Sequence, residues 1–318
     1  MKMAYTGEND KRTFKESAPA VISDMCEKDK SVVYLDADLM NCIGTYKWGK
    51  DYERAINCGI AEANMVGVAC GMAAVGMKPI VHSFGCFSSR RCFDQAFLSG
   101  GYAKNPVTIL GTDPGVCAGF NGGTHMPFED IALYRAVPEA TVIDVSDVSL
   151  FEYVLRASAD MPGVKYIRTP RKNCVKLYAD GSDFEIGKGN VLTEGTDCVI
   201  IASGIMAAKA LSAAAKLKDD GISAAVIDMF TVKPIDAELI EIWAKRTGAV
   251  VTCENHNRIG GLTSAVSEVL ASRCPAPLEY VAVEDVFGEV GPQDYLEKVF
   301  GLTEEHIIEQ VKKVIARK

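Results

Sequence analysis

The sequence predicts two α/β domains in series, each built on a parallel sheet with helices on both faces. Short apolar segments rich in β-branched residues alternate with segments of helical period along almost the whole chain, which is typical of parallel sheets. The alternation is interrupted once, by the polar, turn-rich segment KNCVKLYADGSDFEIGKGN from 172 to 190, and this is the expected domain boundary. A length of 318 residues suits about two domains. We therefore expect domains over 1–180 and 186–318.

The first half contains the pattern of six strands, and most of them end at Gly, Pro, Ser or Asp. In chain order they are SVVYLDADL, RAINCG, KPIVHSF, PVTILGT, ATVIDVS and VKYIRTP. Five segments with apolar residues at helical spacing flank them: FKESAPAVISDMCEK, AEANMVGVACGMAAVG, SSRRCFDQAFLSGGYAK, FEDIALYRAV and SLFEYVLRASADM.

The second half continues the alternation. Its strand patterns are DCVIIASG, AAVIDMF, AVVTCEN and LEYVAVED. Its helix patterns are AAKALSAAAKLKDDG, DAELIEIWAKRTG, LTSAVSEVLASR and the amphipathic tail EEHIIEQVKKVIARK. The second domain is therefore expected to have the same α/β character as the first.

Composition and missing motifs exclude several function classes. A net charge of −8 argues against binding nucleic acid or anionic membranes, and no signal peptide or apolar run of spanning length is present. We therefore expect a soluble, cytoplasmic protein. The eleven cysteines lack CxxC spacing, so we expect free thiols and no metal site. The common nucleotide-binding fingerprints and the GxSxG motif are also absent.

One acid stands at the mouth of the most apolar helix. In INCGIAEANMVGVACGMAAVG, Glu62 follows a strand and precedes a long, nearly uncharged stretch. An acid in the first helical turn often does no more than complement the helix dipole. A helix that is apolar on all sides is buried, however, so Glu62 is expected to be buried with it. Burial favours the protonated carboxyl group, which suits a residue that exchanges or shares a proton near neutral pH.

Two further segments carry residue types suited to a binding site. HSFGCFSSRRCFDQ places Phe84, Phe87 and Arg90 at intervals of three residues after a strand. This pattern is either a core patch at a strand-to-helix corner or a stacking platform for a flat ring with a donor beside it. The glycine-rich stretch GTDPGVCAGFNGGTHMPFED holds His125, and loops of this length in compact domains are usually functional or disordered.

Taken together, DADL, GIAEAN, HSFGCF, NGGTHMPFED and RTPRKN resemble the pyrimidine-binding domain of the transketolase family. VIDMFTVKPID, VVTCENHNRIGGLTSAV and VEDVFGEVGP resemble the C-terminal domain of that family, and we interpret ENHNRIGG there as a strand-to-helix turn. The resemblance covers nearly the whole chain and is strongest to the C-terminal subunit of split transketolases. It implies a thiamine-diphosphate-dependent enzyme that transfers a two-carbon ketol unit from a ketose to an aldose.

The resemblance assigns roles to residues of the first domain. Glu62 corresponds to the acid that hydrogen-bonds a ring nitrogen of the cofactor's aminopyrimidine and shares its proton, while the cofactor supplies the carbanion chemistry. Phe87 corresponds to the aromatic residue that stacks on the pyrimidine, and Phe84 to the aromatic residue beside it. Asp38 corresponds to an acid near the cofactor at the subunit interface. His125 corresponds to the histidine that faces the reacting carbons.

The resemblance also implies a substrate-binding set. Asn121 replaces an aspartate that reads a sugar hydroxyl, and it can still donate and accept hydrogen bonds. Arg12 and one of Arg168 or Arg171 match the arginines that hold the sugar's distal phosphate, since forked guanidinium groups suit an oxyanion. A sugar with a terminal phosphate, or with another anion such as a sulfonate, is therefore expected.

Three positions depart from the family pattern. Arg90, expected to contact the cofactor, stands where many transketolases have a tyrosine. Thr112 and Cys42 stand where the family has a histidine and a serine that help to hold the phosphate. The anion site is therefore expected to be altered.

The sequence lacks the GDG…N motif with which the family holds Mg²⁺ and the diphosphate. The resemblance therefore implies a partner, the N-terminal transketolase subunit, which would anchor thiamine diphosphate and Mg²⁺ in a heterotetramer of two copies of each chain. The β subunit of a 2-oxo-acid dehydrogenase and deoxyxylulose phosphate synthase share this two-domain plan and cofactor. A non-catalytic assembly subunit is the alternative outside enzymes. The GTH histidine and DADL favour transketolase.

Overall fold

The computed structural model describes residues 1–318 and contains two sheets flanked by helices. The strands are β1 (Val32–Asp36), β2 (Ala55–Asn57), β3 (Lys78–Phe84), β4 (Val107–Thr112), β5 (Thr141–Asp144), β6 (Val164–Thr169), β7 (Asn190–Thr193), β8 (Cys198–Ala202), β9 (Ala224–Asp228), β10 (Thr231–Lys233), β11 (Val250–Asn257) and β12 (Leu278–Val283). The α-helices are α1 (Phe14–Lys28), α2 (Met40–Ile43), α3 (Tyr46–Gly49), α4 (Glu62–Ala74), α5 (Gly85–Arg90), α6 (Phe93–Gln95), α7 (Asp130–Arg135), α8 (Val148–Ser158), α9 (Met206–Asp219), α10 (Ala237–Thr247), α11 (Leu262–Arg273), α12 (Gln293–Val299) and α13 (Glu304–Ile315). None of these helices is both long and apolar enough to cross a membrane.

The two sheets are predominantly parallel, as predicted, but each has one antiparallel edge strand. The first sheet has the order β10-β5-β6-β4-β3-β1-β2, and the second has the order β12-β11-β8-β9-β7. The antiparallel pairs are β10 with β5 and β7 with β9. Because β10 lies beyond β9 in the chain, the second half of the protein supplies an edge strand to the first sheet. The two domains are therefore joined by strand pairing as well as by side-chain packing.

The ten strand patterns recognised in the sequence all form strands of these sheets. Several helices begin at a residue whose side chain caps them. Thr13 accepts a hydrogen bond from the Glu16 N–H, and the Glu16 carboxylate accepts one from the Thr13 N–H, which is a capping box at the start of α1. Asp236 and Thr303 cap α10 and α13 through their side chains in the same way.

One predicted helix is broken. The segment SSRRCFDQAFLSGGYAK forms part of α5, then α6, then a π-helix over Ala96–Tyr102. A Cβ atom on Gly100 would lie 2.8 Å from Val164 Cγ2, and one on Gly101 would lie 2.9 Å from Val137 Cγ1. The two glycines therefore let this segment approach the sheet more closely than a helix with side chains could.

Helix α4 is buried along one side only. Glu62, Met65 and Val66 face the sheet and are buried, whereas Val68 is 40% and Val75 is 80% exposed. The expectation that this helix is buried on all sides is wrong for the single chain. Its outer face is apolar and faces solvent.

Candidate functional site

Several of the predicted site residues lie at the carboxyl ends of β1 and β3, which with β4 are neighbours in the first sheet. Asp38 follows β1, Phe84 ends β3 and Asp113 follows β4. Ligands of open parallel sheets commonly bind at this edge. Asp38 and Asp113 have positive φ angles of 65° and 57°, and non-glycine residues in this region are uncommon and cluster at functional sites. The edge is therefore the candidate site.

Glu62 is the first residue of α4, and it is buried with 3% of its surface exposed. Its Oε1 accepts a hydrogen bond from Ser83 Oγ at 3.2 Å and another from Arg91 Nη1 at 3.0 Å. Its Oε2 accepts no hydrogen bond from the protein. The sequence predicted a buried acid at this position but did not indicate a cationic partner.

Phe84, Phe87 and His125 form one aromatic cluster. The ring centroids of the two phenylalanines are 6.2 Å apart. The His125 ring lies 6.0 Å from Phe84 and 5.0 Å from Phe87, edge-on to both. Phe84 is buried and Phe87 is half-buried. Residues from two distant segments of the sequence are thus brought together at the end of β3.

Arg91 lies between Glu62 and this cluster. Its guanidinium carbon is 3.7 Å from the centroid of the Phe87 ring, at cation–π distance, while Nη1 donates to Glu62. One face of the Phe87 ring is therefore covered by a cation that also neutralises the buried acid. The spacing of three residues in the sequence selected Arg90 and missed Arg91, the second arginine of the pair.

Arg90 supports the loop that carries His125. Its Nη1 donates to Glu129 Oε1 at 2.6 Å, and its Nη2 donates to the Thr124 carbonyl at 3.1 Å. It thereby holds the chain on both sides of His125. The cofactor contact expected of Arg90 is therefore not what this arrangement favours, because Arg90 fixes the loop while Arg91 faces the Phe87 ring.

The surroundings of His125 favour the neutral imidazole. Burial lowers the pKa of His125, and the positive charges of Arg91 and Arg90 lower it further. Its Nδ1 lies 2.9 Å from Thr124 Oγ1, and its Nε2 has no protein partner. Asn121, in the same loop, is exposed. The loop thus presents one free imidazole nitrogen beside the aromatic cluster, and an exposed amide four residues before it.

A buried polar chain fixes the ends of the three strands. Asp36 lies 2.7 Å from His82 Nδ1, and His82 Nε2 lies 3.2 Å from Thr112 Oγ1. All three residues are buried, so Thr112 faces the interior. Asp38, two residues beyond Asp36, is exposed and accepts a hydrogen bond from Asn57 Nδ2 at 2.9 Å. These hydrogen bonds were not predicted from the sequence, because the three residues that form them are far apart in it.

Arg171 is the predicted arginine that faces the aromatic cluster. Its guanidinium carbon lies 5.3 Å from the centroid of the Phe84 ring. Its Nε lies 3.1 Å from Asp113 Oδ1 and 3.0 Å from Oδ2. The side chain that contacts this cation is Asp113, whereas Thr112, which the resemblance placed at the family's phosphate-binding histidine, faces His82 instead. Desolvation raises the pKa of Asp113 to about 6, although the charge of Arg171 opposes the rise.

Arg168 does not reach the site, so of the two arginines that the resemblance offered for substrate binding, Arg171 is the one that faces the aromatic cluster. The Arg168 side chain is fully buried; Nε donates to Asp130 Oδ2 at 2.9 Å and Nη1 to Asp144 Oδ2 at 3.4 Å. Nη2 donates to the carbonyls of Pro127 and Asn255 at 3.2 Å and 2.6 Å. Because Asn255 belongs to the second domain, Arg168 joins the two domains.

Arg12 is also committed elsewhere. Its guanidinium donates to Asp10, Glu152, Asp180 and Ser149. Three carboxylates around one guanidinium leave no net positive charge for a substrate anion, so the expected role of Arg12 in anion binding does not fit this arrangement. The contacts instead tie the start of α1 to α8 and to the segment between the domains.

The second domain holds the glycine-rich loop in place. Asn255 Oδ1 accepts a hydrogen bond from the Val116 N–H at 3.0 Å, and Asn255 Nδ2 donates to the Pro114 carbonyl at 2.9 Å. Gly115 has a φ of 49°, and a Cβ atom there would lie 2.2 Å from Asn255 Oδ1. Within ENHNRIGG, β11 continues through Asn257 before the turn to α11. The segment is therefore more than a turn, because it positions the loop that carries His125.

Comparison with known proteins identifies the family. The family models "Transketolase, pyrimidine binding domain" and "Transketolase, C-terminal domain" match residues 10–176 and 187–307. A 6-deoxy-6-sulfo-D-fructose transketolase subunit from Clostridium sp. (strain MSTE9) is 44% identical over 299 residues, covering 94% of this chain and 93% of the relative. One of the subunits of an apulose-4-phosphate transketolase from Phocaeicola vulgatus is 32% identical over 305 residues, covering 94% and 97%.

A solved structure agrees with these relatives. A split gene transketolase, in an inactive β4 tetramer, superposes with a TM-score of 0.87 at 38% identity and covers 96% of this chain and 98% of its own. The chain belongs to the transketolase family and consists of that family's pyrimidine-binding and C-terminal domains.

Proposed function

We propose that this chain is the small subunit of a split, thiamine-diphosphate-dependent transketolase, which moves a two-carbon ketol unit from a ketose to an aldose. The observation that carries the proposal is the buried carboxylate of Glu62 beside the half-exposed ring of Phe87. A buried acid next to a flat apolar face is what an aminopyrimidine ring requires for stacking and for a shared proton. Membership of the transketolase family supports the same activity.

The residues of the site fit the pyrimidine half of the cofactor. Phe87 would stack on the ring once Arg91 moves aside, and Phe84 would close the apolar wall. Glu62 would hold a proton between its free Oε2 and a ring nitrogen. When bound, thiamine diphosphate would supply the carbanion chemistry of the reaction. The neutral His125 would use its free Nε2 to hydrogen-bond a substrate oxygen near the reacting carbons, where its lowered pKa keeps it uncharged at neutral pH.

A second polypeptide would complete the site by holding Mg²⁺ and the diphosphate. The sequence contains no GDG motif, and both curated relatives are themselves subunits of transketolases. The exposed apolar face of α4, with Val68 and Val75, is a surface suited to such contacts. Phe287 and Val290 form a second exposed apolar patch beside the glycine-rich loop, with 96% and 65% exposure. We assign these surfaces to subunit contacts in a heterotetramer.

The donor in this proposal is a ketose with a terminal anion. Arg171 faces the aromatic cluster, and its two Nη groups donate to no protein acceptor. A guanidinium group whose Nη donors are free can bind a tetrahedral oxyanion with two parallel hydrogen bonds. The names of the two curated relatives specify a sulfonated sugar and a phosphorylated sugar, which supports a terminal phosphate or sulfonate on the donor of this enzyme.

The test is to co-express the chain with the polypeptide encoded beside its gene and to assay ketol transfer between ketose and aldose panels. We expect transfer by the complex and none by either chain alone. A complex that binds the cofactor but acts only on 2-oxo acids would assign the chain to the dehydrogenase class. A complex that binds no cofactor would make it an assembly subunit.

Arg91→Ala should strengthen thiamine diphosphate binding by the complex about tenfold. The guanidinium must leave both the Phe87 ring and Glu62 before the pyrimidine can stack, and breaking such contacts costs roughly 1–3 kcal/mol, where 1.4 kcal/mol is tenfold. Calorimetric titration with the cofactor measures the change. Arg90→Ala is the matched control, since Arg90 contacts the loop instead. Weaker binding by Arg91→Ala would mean that Arg91 itself holds the cofactor.

A further inference from the structure

We propose that Asp113 sets the charge of the sugar terminus that this enzyme accepts, and that it favours a singly charged oxyanion of the sulfonate type over a phosphate dianion. The inference rests on the proposed function, because it concerns the far end of the substrate bound at this site. The ion pair between Asp113 and Arg171 carries it.

Arg171 has free Nη donors for an anion, although the carboxylate of Asp113 already balances its positive charge. Both carboxylate oxygens of Asp113 face the Nε of Arg171, at 3.1 Å and 3.0 Å. The two Nη groups of Arg171 have no protein acceptor and remain available as a pair of donors. The Asp113 side chain is only 3% exposed, and its Oδ2 receives no well-aligned hydrogen bond. The guanidinium of Arg171 and the buried carboxylate of Asp113 are therefore in direct contact within one subsite, where the charge of Lys172 also acts on Asp113.

Asp113 is held in this place by the backbone. Its φ of 57° lies in the left-handed region, which Asp and Asn adopt more readily than other side-chain-bearing residues. Its N–H donates to the Thr169 carbonyl at 3.1 Å, at the end of the β4–β6 pairing. Two residues later, Gly115 is locked against Asn255. The backbone of Asp113 is therefore fixed beside Arg171, and its carboxylate contacts the Nε of that residue.

The charge of the substrate terminus then decides the preference. A phosphate monoester carries about −1.5 to −2 at pH 7, whereas a sulfonate carries a single negative charge. The two groups share a tetrahedral centre with three terminal oxygens, so Arg171 can grip either with its Nη groups. The additional charge of the phosphate would lie beside the carboxylate of Asp113, and like charges in a desolvated site repel strongly. A sulfonate avoids most of this repulsion, while an uncharged terminus forgoes the attraction to Arg171.

The test uses three ketohexose donors that differ only at C6, which carries a hydroxyl, a phosphate or a sulfonate, with the complex of both subunits. For the wild type we expect kcat/KM to be highest for the sulfonate, by about tenfold over the phosphate. Asp113→Asn keeps the size and the positive φ but removes the charge. It should raise the phosphate-to-sulfonate ratio of kcat/KM about tenfold or more, whatever its effect on the hydroxyl donor.

A binding measurement separates recognition from turnover. Hexitol 6-phosphate and hexitol 6-sulfonate lack the carbonyl, so calorimetry on the complex reports affinity alone, and Asp113→Asn should shift the two affinities in the same ratio. Asp113→Gly also accepts a positive φ and should shift the phosphate-to-sulfonate ratio in the same direction. It serves as the second variant if Asp113→Asn folds poorly. A wild type that prefers the phosphate or the hydroxyl donor, or a ratio unchanged in both variants, would overturn the inference. No transfer from any donor would instead overturn the proposed function.

Discussion

Glu62→Gln should leave the complex folded and able to bind thiamine diphosphate, yet slow ketol transfer by about two to four orders of magnitude. The amide has the size of the carboxylate and can still accept from Ser83, so burial of the helix mouth is preserved. It cannot hold the shared proton, and loss of a positioned acid–base group costs about this much in rate.

The direct readout for this variant is hydrogen–deuterium exchange at the thiazolium carbon of the bound cofactor. Exchange should slow in parallel with turnover. Ser83→Ala is the matched control, because it removes a hydrogen bond to Oε1 and leaves Oε2 unchanged, so its exchange should stay close to that of the wild type. If Glu62→Gln exchanged as fast as the wild type, Glu62 would only complement the helix dipole and would have no part in proton transfer.

Arg168→Met should lower the free energy of unfolding of this chain by roughly 3–5 kcal/mol, the cost of removing one partner of a buried ion pair. The variant leaves the carboxylates of Asp130 and Asp144 buried without their cation. Asp130 Oδ1 already lacks a hydrogen bond, and the side-chain donors left to the two carboxylates are the neutral hydroxyls of Tyr166 and Ser203. Unfolding in urea, followed by circular dichroism, measures the loss.

Arg171→Met is the matched control for that experiment. Arg171 lies three positions away, is partly exposed and pairs with one carboxylate, whereas Arg168 is fully buried and pairs with two, so the loss of Arg171 should cost less stability than the loss of Arg168. The two variants should therefore differ in what they lose. Arg168→Met should lower the free energy of unfolding, whereas Arg171→Met should lower the rate of ketol transfer from anionic donors. Equal stability of the two would contradict the assignment of Arg168 to the joint between the domains.

The parts of this molecule that could be predicted from sequence are those encoded by short-range patterns. Strand β3 was predicted at its observed bounds because KPIVHSF is a compact β-branched run before a glycine. Glu62, Phe84, Phe87 and His125 were selected because each stands at a strand end or in a glycine-rich loop. The parallel sheet brings those ends to one edge, so clustering followed from the fold class.

The errors concern contacts that only the folded chain creates. The segment RTPR suggested both Arg168 and Arg171 as candidates. In the folded chain the Arg168 side chain lies buried between the domains, whereas Arg171, just beyond β6, faces the aromatic cluster. Asp113 was missed because Thr112 was matched instead, one residue away. Strand β10 has three residues, too few for a period-two pattern, and its pairing with β5 joins distant parts of the chain.

The most direct test of the central claim is an equilibrium titration of thiamine diphosphate, with Mg²⁺ present, into this chain, into its partner and into their equimolar mixture. We expect the mixture to bind thiamine diphosphate tightly and this chain alone to bind it weakly. When Phe87→Ala replaces the wild-type chain, the mixture should lose the affinity that it gains over the separate chains. Tight binding by this chain without any second polypeptide would contradict the account, because the residues that hold Mg²⁺ and the diphosphate would then have to lie within these 318 residues.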